Sequence, residues 1–325
     1  MRYYGRMGLR GGIDLGGTKI QAVVVGARNG VRGQARIPTP KDGGPDGVIA
    51  AMAAAVRAAA TEAEVETSAL DGVGIGSPGE VDPDAGTVTN AYNVVPDWNR
   101  TISVGDILTK ELGTKIGLGN DVRVATAAEF RLGAGKPYRS LLGVFWGTGV
   151  GGGIVLNGSP WRGRGAAGEI GHMVVRRKGA KCTCGREGCM EAYSGRRAME
   201  LEARRRMKNG EKTALFKIME RKKRVALTSG VWAEALEHHD ALATDLIDRA
   251  VAALGAGIAS AVNLIDVEAV VIGGGLGTRL GEPYVARIEQ QMGPHLFVDA
   301  RPPAVHLAAL GDLGGAIGAS LLIKG

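Results

Sequence analysis

Two distant segments of the sequence share one layout that limits the folds open to the chain. Residues 11–26 read GGIDLGGTKIQAVVVG, and residues 141–158 read LLGVFWGTGVGGGIVLNG. In each segment an apolar run leads into a glycine-threonine turn and a second apolar run follows, which predicts a β-hairpin with a glycine-rich tip. Thr18 and Thr148 occupy equivalent places. The repetition favours two similar α/β lobes that face each other across a cleft.

The remaining patterns fit this two-lobed arrangement, and 325 residues are enough for two domains. Residues 48–63 and 240–264 predict helices, and a strand followed by a turn at Asn120-Asp121 leads into a further helix that we expect near residue 126. We therefore expect a small α/β domain of residues 1–125, joined by the C-terminal helix at about 312–325. A large α/β domain would span residues 126–311.

Composition and charge limit the class of protein. The net charge is +7, and much of it comes from the basic segment 196–224, which we interpret as a solvated helical face with a polyanion site as the alternative. Few aromatic residues are available to stack on bases, so we expect no nucleic-acid partner. No apolar run is long enough to span a membrane and no export signal is visible. Three cysteines without an even pairing then favour the reducing cytoplasm.

The glycine-rich tips are candidate phosphate sites of an unusual kind. The sequence contains no GxxxxGK[ST] motif, and the GxGxxG pattern at Gly147 continues into a strand, which excludes a Rossmann dinucleotide site. Backbone amides exposed at glycines can still form concave anion sites. Asp14 stands just ahead of the tip and would supply a carboxylate for the Mg²⁺ of a triphosphate. The alternative is that both tips are only tight hairpin turns.

All three cysteines fall within eight positions of one polar stretch, residues 182–189. Cys182, Cys184, Cys189 and the preceding His172 make a complete tetrahedral set for Zn²⁺. A disulfide would leave one thiol over, and the surroundings are too polar for inert buried thiols. Four protein ligands leave no position open to substrate, so the predicted zinc is structural.

Two glutamates bracket the predicted zinc loop. Glu169 lies three residues before His172, and Glu191 lies two residues after Cys189. Folding around a metal would direct both carboxylates toward one point. Carboxylates that accept several hydrogen bonds suit a polyhydroxylated ligand, so we predict that the zinc loop shapes a sugar site.

From about residue 11 to its end the chain resembles the ROK family, which comprises repressors, open reading frames and sugar kinases. The resemblance is carried by DLGGTK at 14–19, GIGSPGEVD at 74–82, ND at 120–121, GTGVGGGIV at 147–155, GEIGH at 168–172 and CTCGREGCME at 182–191. It implies the actin-like ATPase (ribonuclease H-like) fold shared with hexokinases, with a cleft between two lobes.

The resemblance also implies roles for individual positions. Asp121 would be the general base that takes the proton from a sugar hydroxyl. The sugar would be lined by Gly79, Asn120, Asp121, Glu169, His172 and Glu191, with His172 also a zinc ligand. The phosphates and Mg²⁺ of ATP would be held by Asp14, Gly16, Gly17, Thr18, Lys19, Thr148 and Gly149, and the adenosine side by Gly274 and Gly275.

These features together predict an ATP-dependent hexose kinase, with glucose as the first substrate to test and a homodimer or homotetramer as the assembly. N-acetylglucosamine, N-acetylmannosamine, fructose and allose remain alternatives, since Arg123 stands where the family commonly has a small or amide residue. A sugar-responsive repressor would need a helix-turn-helix ahead of Asp14, for which thirteen residues leave no room. A silent sugar-binding module would not need Asp14 and Asp121.

Overall fold

A computed structural model describes residues 8–92 and 94–323, which divide into two units. The first unit contains residues 8–133 and 309–323, and the second is Ala134–Ala308.

Strands and helices are numbered along the chain. The strands are β1 (Arg10–Leu15), β2 (Lys19–Val25), β3 (Val31–Pro38), β4 (Val73–Ser77), β5 (Glu80–Asp82), β6 (Thr87–Thr89), β7 (Ile116–Asn120), β8 (Leu141–Trp146), β9 (Val150–Leu156), β10 (Ser159–Trp161), β11 (Ala269–Gly273) and β12 (Ala304–Leu307). The helices are α1 (Gly44–Glu62), α2 (Val104–Leu112), α3 (Asp121–Leu132), α4 (Glu191–Ser194), α5 (Arg196–Lys208), α6 (Leu215–Arg221), α7 (Ser229–Glu237), α8 (Ala241–Ile265), α9 (Gly274–Leu280), α10 (Glu282–Met292) and α11 (Gly314–Ser320).

Each unit is built on a five-stranded sheet of the same topology. The order in the first unit is β3-β2-β1-β4-β7, and in the second it is β10-β9-β8-β11-β12. In both, an antiparallel hairpin (β1-β2 or β8-β9) is extended by parallel strands next to its first strand. The two hairpins predicted from the glycine-threonine turns are therefore confirmed, and the repeated layout reflects a repeated sheet.

The helix after β7 begins earlier than the sequence suggested. We expected it near residue 126, but α3 begins at Asp121 because the side chain of Asn120 caps it by accepting from the backbone N–H of Arg123 at 3.2 Å. The expected domain boundary between residues 125 and 126 falls inside α3. This helix packs against α11 and lies wholly in the first unit. The boundary between the two units therefore lies after Gly133.

Helix α11 lies directly on the sheet of the first unit because glycines remove the side chains beneath it. A Cβ on Gly12 would overlap the carbonyl oxygen of Ala316, and a Cβ on Gly74 would overlap that of Ala319. The C-terminal helix expected at about 312–325 is thus the shorter α11, and residues 324–325 lie outside the described part of the chain.

Helix α8 forms the centre of the second core. It begins after Asp240, whose carboxylate caps it by accepting from the N–H of Ala243 at 2.8 Å. Leucines and isoleucines at helical spacing, among them Leu254 and Ile258, are fully buried with the strands β8 and β11. Among the described residues no helix is long and apolar enough to cross a membrane.

Candidate functional site

The hairpin tip of the first unit carries the predicted Mg²⁺ carboxylate. The turn closes when the N–H of Gly16 donates to the carbonyl of Lys19 at 3.0 Å. Asp14, at the end of β1, is half-buried, and burial raises the pKa of its carboxyl while the neighbouring Lys19 opposes that shift. Helix α11 approaches so closely that a Cβ on Gly315 would lie 2.7 Å from the Asp14 carboxyl carbon. A divalent cation would relieve the cost of this buried negative charge.

Two side chains from outside the hairpin donate hydrogen bonds to the carbonyl groups of this tip. Thr39 donates its hydroxyl to the carbonyl of Gly16 at 2.6 Å, and the Lys41 ammonium donates to the carbonyl of Gly17. Lys19 forms an ion pair with the exposed Asp312, with 3.2 Å between Nζ and Oδ2. The glycines are therefore fixed in one conformation, as a preformed anion site requires.

The predicted base lies at the same edge of this sheet. In the ladder Asp14 pairs with Gly76 of β4, and Gly76 pairs with Gly119 of β7. Asp121 follows Gly119 by two residues, and its Oδ1 accepts from the N–H of Val122 at 2.9 Å. Carboxyl ends of neighbouring parallel strands commonly form ligand sites in α/β sheets. The structure thus gathers the first unit's predicted residues at one edge, including Gly79, which follows β4.

The hairpin tip of the second unit is formed by Gly147, Thr148 and Gly149. The N–H of Gly147 donates to the carbonyl of Gly149 at 2.9 Å. The Glu191 carboxylate lies against this turn, with Oε2 accepting from the N–H of Val150 at 2.8 Å, and a Cβ on Gly149 would overlap it. One of the two predicted sugar-binding carboxylates is therefore located at the predicted phosphate tip.

The predicted adenosine-side loop adjoins that tip. Strand β11 ends at Gly273, and Gly274 takes a φ of +80° so that α9 can begin at once. A Cβ on Gly274 would lie 2.6 Å from the carbonyl oxygen of Trp146. A Cβ on Gly147 would lie 3.7 Å from the backbone nitrogen of Gly275. Three glycines thus allow the loop and the tip to touch through backbone alone.

The cysteines and His172 form one cluster, as the sequence predicted. Their four ligand atoms all lie within 4.8 Å of one another. The Cys184 and Cys189 sulfurs are 3.7 Å apart, and the Cys182 sulfur is 3.8 Å from Nδ1 of His172. Tetrahedral zinc with Zn–S bonds of about 2.3 Å separates two sulfurs by about 3.8 Å. The donor set and its spacing therefore fit Zn²⁺.

The three thiols have unequal pKa values. Burial and the neighbouring thiols raise the pKa of Cys189 to about 12, burial also raises the pKa of Cys182, and hydrogen bonds with Arg186 and the other thiols lower the pKa of Cys184 in spite of its burial cost. A bound divalent metal would hold all three as thiolates. The loop that carries them turns at Gly188, whose φ of +81° is one that L side chains rarely adopt.

The loop that carries the three cysteines also contacts the carboxylate at the second tip. Oε1 of Glu191 accepts from the hydroxyl of Thr183 at 3.3 Å and lies 3.9 Å from the sulfur of Cys182. The other predicted carboxylate belongs to a short 3-10 turn, in which the N–H of His172 donates to the carbonyl of Glu169 at 3.1 Å. The loop therefore contacts the Glu191 carboxylate directly, and Glu169 belongs to the same short turn as His172.

Two residues that the sequence analysis did not single out lie beside the second tip. Arg196 donates to the hydroxyl of Thr148 at 3.0 Å and to the hydroxyl of Ser229 at 2.9 Å. Arg196 was counted only as part of the basic segment 196–224. Elsewhere in that segment arginines pair with acids, as Arg204 does with Glu200, which favours the surface interpretation for the segment as a whole. No sequence signal distinguishes the arginine that turns inward.

Comparison with known proteins agrees with these features. Residues 10–325 match the model of the ROK family. The chain is 31% identical to a glucokinase of Halalkalibacterium halodurans, covering 96% of this chain and 94% of that protein. It is 32% identical to an N-acetylgalactosamine kinase of a Shewanella species, covering 97% and 96%. A crystal structure of a ROK family glucokinase from Streptomyces griseus, in complex with glucose and AMPPNP, superimposes with a TM-score of 0.82 at 32% identity, covering 97% and 99%.

Proposed function

The chain belongs to the ROK family, and from that premise we propose that it transfers a phosphoryl group from ATP to a hydroxyl of a hexose. The carrying observation is that Asp14 and Asp121 share one edge of the first sheet, at the ends of paired parallel strands. A carboxylate beside a fixed glycine tip suits the metal of a triphosphate, and a second one nearby suits a general base.

Each residue then has a defined task. Asp121 orients the attacking sugar hydroxyl and accepts its proton as the new bond to phosphorus forms. Backbone N–H groups of the glycine tips, at Gly17 and at Thr148-Gly149, would donate to phosphate oxygens, while that of Gly16 closes its own turn. When bound, Mg²⁺ neutralises charge on the transferred phosphoryl group. Asp14 would hold that ion. In the second unit Glu191 accepts hydrogen bonds from the sugar.

Structural zinc is part of the proposal. His172, Cys182, Cys184 and Cys189 would hold the ion, which has no open position for substrate. Its contribution is to fix the loop whose Thr183 hydroxyl contacts Glu191. Glucose is the proposed substrate, because the relatives over the whole chain include glucokinases. Kinases of N-acetylgalactosamine and N-acetylmannosamine are nearly as similar, so N-acetylhexosamines are the alternative. We propose a homodimer or homotetramer as the assembly, which light scattering would test.

The experiment is a coupled assay of ADP release with Mg²⁺-ATP and a panel of hexoses and N-acetylhexosamines. Asp121→Asn is expected to lower turnover by about 10²–10⁴-fold on the preferred sugar, which is the usual contribution of a general base. The matched control is Asp106→Asn, an exposed carboxylate in the first turn of α2. Full activity in Asp121→Asn would refute the assignment of the base. No turnover with any sugar would refute the kinase proposal.

A further inference from the structure

Arg196 occupies an unusual position for a member of a basic surface segment. It is the first residue of α5, and its side chain is half-buried and turned toward the Gly147-Thr148-Gly149 tip. One terminal nitrogen donates to the Thr148 hydroxyl and the other to the Ser229 hydroxyl. The guanidinium therefore lies between two neutral oxygens.

The guanidinium of Arg196 is bound by hydroxyl groups and not by a carboxylate in the described part of the chain. Within the described ranges 8–92 and 94–323, its hydrogen bonds go to hydroxyl groups and it forms no ion pair. Arg204, Arg205 and Arg206 of the same helix all pair with acids. Burial lowers the pKa of Arg196, and the charge of Glu200, four residues further along α5, opposes that shift only in part. The guanidinium charge is therefore held at a cost that an incoming anion would offset.

The backbone at the start of α5 is already occupied. The N–H of Arg196 donates to the carbonyl of Gly147 at 3.1 Å, and the N–H of Arg197 donates to that of Thr148 at 3.0 Å. These amides fix the tip and are not available to a ligand. An anion at this place would be bound by the side chains instead.

Ser229 connects this place to the adenosine-side loop. It is the first residue of α7, and a Cβ on Gly275 would lie 3.6 Å from its hydroxyl oxygen. A continuous series of contacts therefore runs from Thr148 through Arg196 and Ser229 to Gly275. A phosphate bound along it lies between the phosphate tip and the side expected to hold adenosine.

We propose that Arg196 and Ser229 bind a phosphate group of the nucleotide that is not transferred in the reaction. This inference rests on the proposed kinase function, because it takes the donor to be a nucleoside triphosphate. The guanidinium supplies a charged donor and the serine a neutral one. A charge-assisted hydrogen bond contributes about 1.5–3 kcal/mol, which corresponds to about 10- to 150-fold in affinity.

The test compares ADP with adenosine, which lacks the phosphates. Affinities would be measured by competition against a fluorescent ATP analogue for wild type, Arg196→Gln, Arg196→Lys and Ser229→Ala. We expect Arg196→Gln to weaken ADP by about 10- to 150-fold, Arg196→Lys to recover part of the loss, and Ser229→Ala to weaken ADP by a smaller factor. Adenosine affinity should stay unchanged. The matched control is Arg197→Gln, which removes the same charge from the next, exposed position.

The outcomes separate this inference from the proposal on which it rests. ADP binding that is unchanged in Arg196→Gln, while wild type binds ADP and turns over sugar, would overturn the inference alone. Equal losses for ADP and adenosine would overturn it too, since Arg196 would then only support the tip. Failure of wild type to bind ADP would overturn both. If Arg196→Gln does not fold, Arg196→Lys and Ser229→Ala still decide, because neither removes the buried stem of the arginine.

Discussion

Replacing Cys184 by serine separates metal binding from packing. Cys184 is exposed, whereas Cys182 and Cys189 are buried. A substitution at an exposed position away from special features changes the free energy of unfolding by less than about 0.5 kcal/mol. The loss in the free energy of unfolding is much larger if the Cys184 thiolate binds zinc. An ion at about 1,000 times its dissociation constant stabilises the folded state by about 4 kcal/mol.

That difference converts into a melting temperature. One kcal/mol shifts the midpoint by about 2–4 °C in a domain of about 150–250 residues, the size class of the second unit, so loss of zinc should lower it by about 8–16 °C. Differential scanning calorimetry measures this on wild type, on Cys184→Ser and on wild type treated with a strong chelator. Elemental analysis should find one zinc per chain in wild type and less in the variant.

Thr183→Ala is the matched control for this experiment. It lies next to Cys184 and removes the hydroxyl that contacts Glu191, but it is not in the ligand cluster. It should keep its zinc and melt within a few degrees of wild type. A Cys184→Ser protein that melts with wild type, combined with no effect of the chelator, would refute the view that the cluster is a structural zinc site.

Four further substitutions test other parts of the structure. Asp14→Asn should abolish phosphotransfer yet raise the melting temperature, because a carboxyl whose folded-state pKa is raised destabilises the fold once ionised; the gain should grow as the pH rises through that pKa. Gly74→Ala should cost about 1–3 kcal/mol by forcing α11 off the sheet, while Gly230→Ala, whose Cβ meets nothing within 4 Å, should stabilise α7 by up to about 1 kcal/mol in urea unfolding. Glu191→Gln should raise the KM for sugar about 10-fold or more in the coupled assay, since a charged acceptor is lost.

The scaffold was largely predictable from local patterns. A glycine-threonine turn between two apolar runs specifies a hairpin, and both predicted hairpins are present as β1-β2 and β8-β9. The cluster of His172, Cys182, Cys184 and Cys189 was also predictable, because its members are close in sequence and Zn²⁺ binds only a few types of side chain. In both cases the residues that define the feature lie within about twenty positions of one another in the sequence.

The errors arose where long-range packing or a single side chain decides. Asn120 was interpreted as part of a turn, but it is the cap of a helix that starts at once, and this displaced the expected boundary. Arg196 was missed because its partner Ser229 lies 33 positions along the chain. The position at which α7 packs decides which arginine of the basic segment turns inward. The composition of the segment does not contain that information.

The two units show why a repeated fold does not imply repeated chemistry. Their sheets have the same topology and their hairpins both end in glycine tips, so the two tips differ through side chains of the hairpins, such as Asp14, and through side chains that other segments bring. At the first tip α11 approaches Asp14, and Asp312 pairs with Lys19. At the second tip the cysteine loop contributes Glu191, and α5 contributes Arg196. The duplicated hairpin therefore accounts for backbone donors in both units. The charges that select a ligand lie partly at hairpin positions that differ between the units, such as Asp14, and partly in the segments that each unit adds after its hairpin. These are the positions at which substitutions should change function without changing the fold.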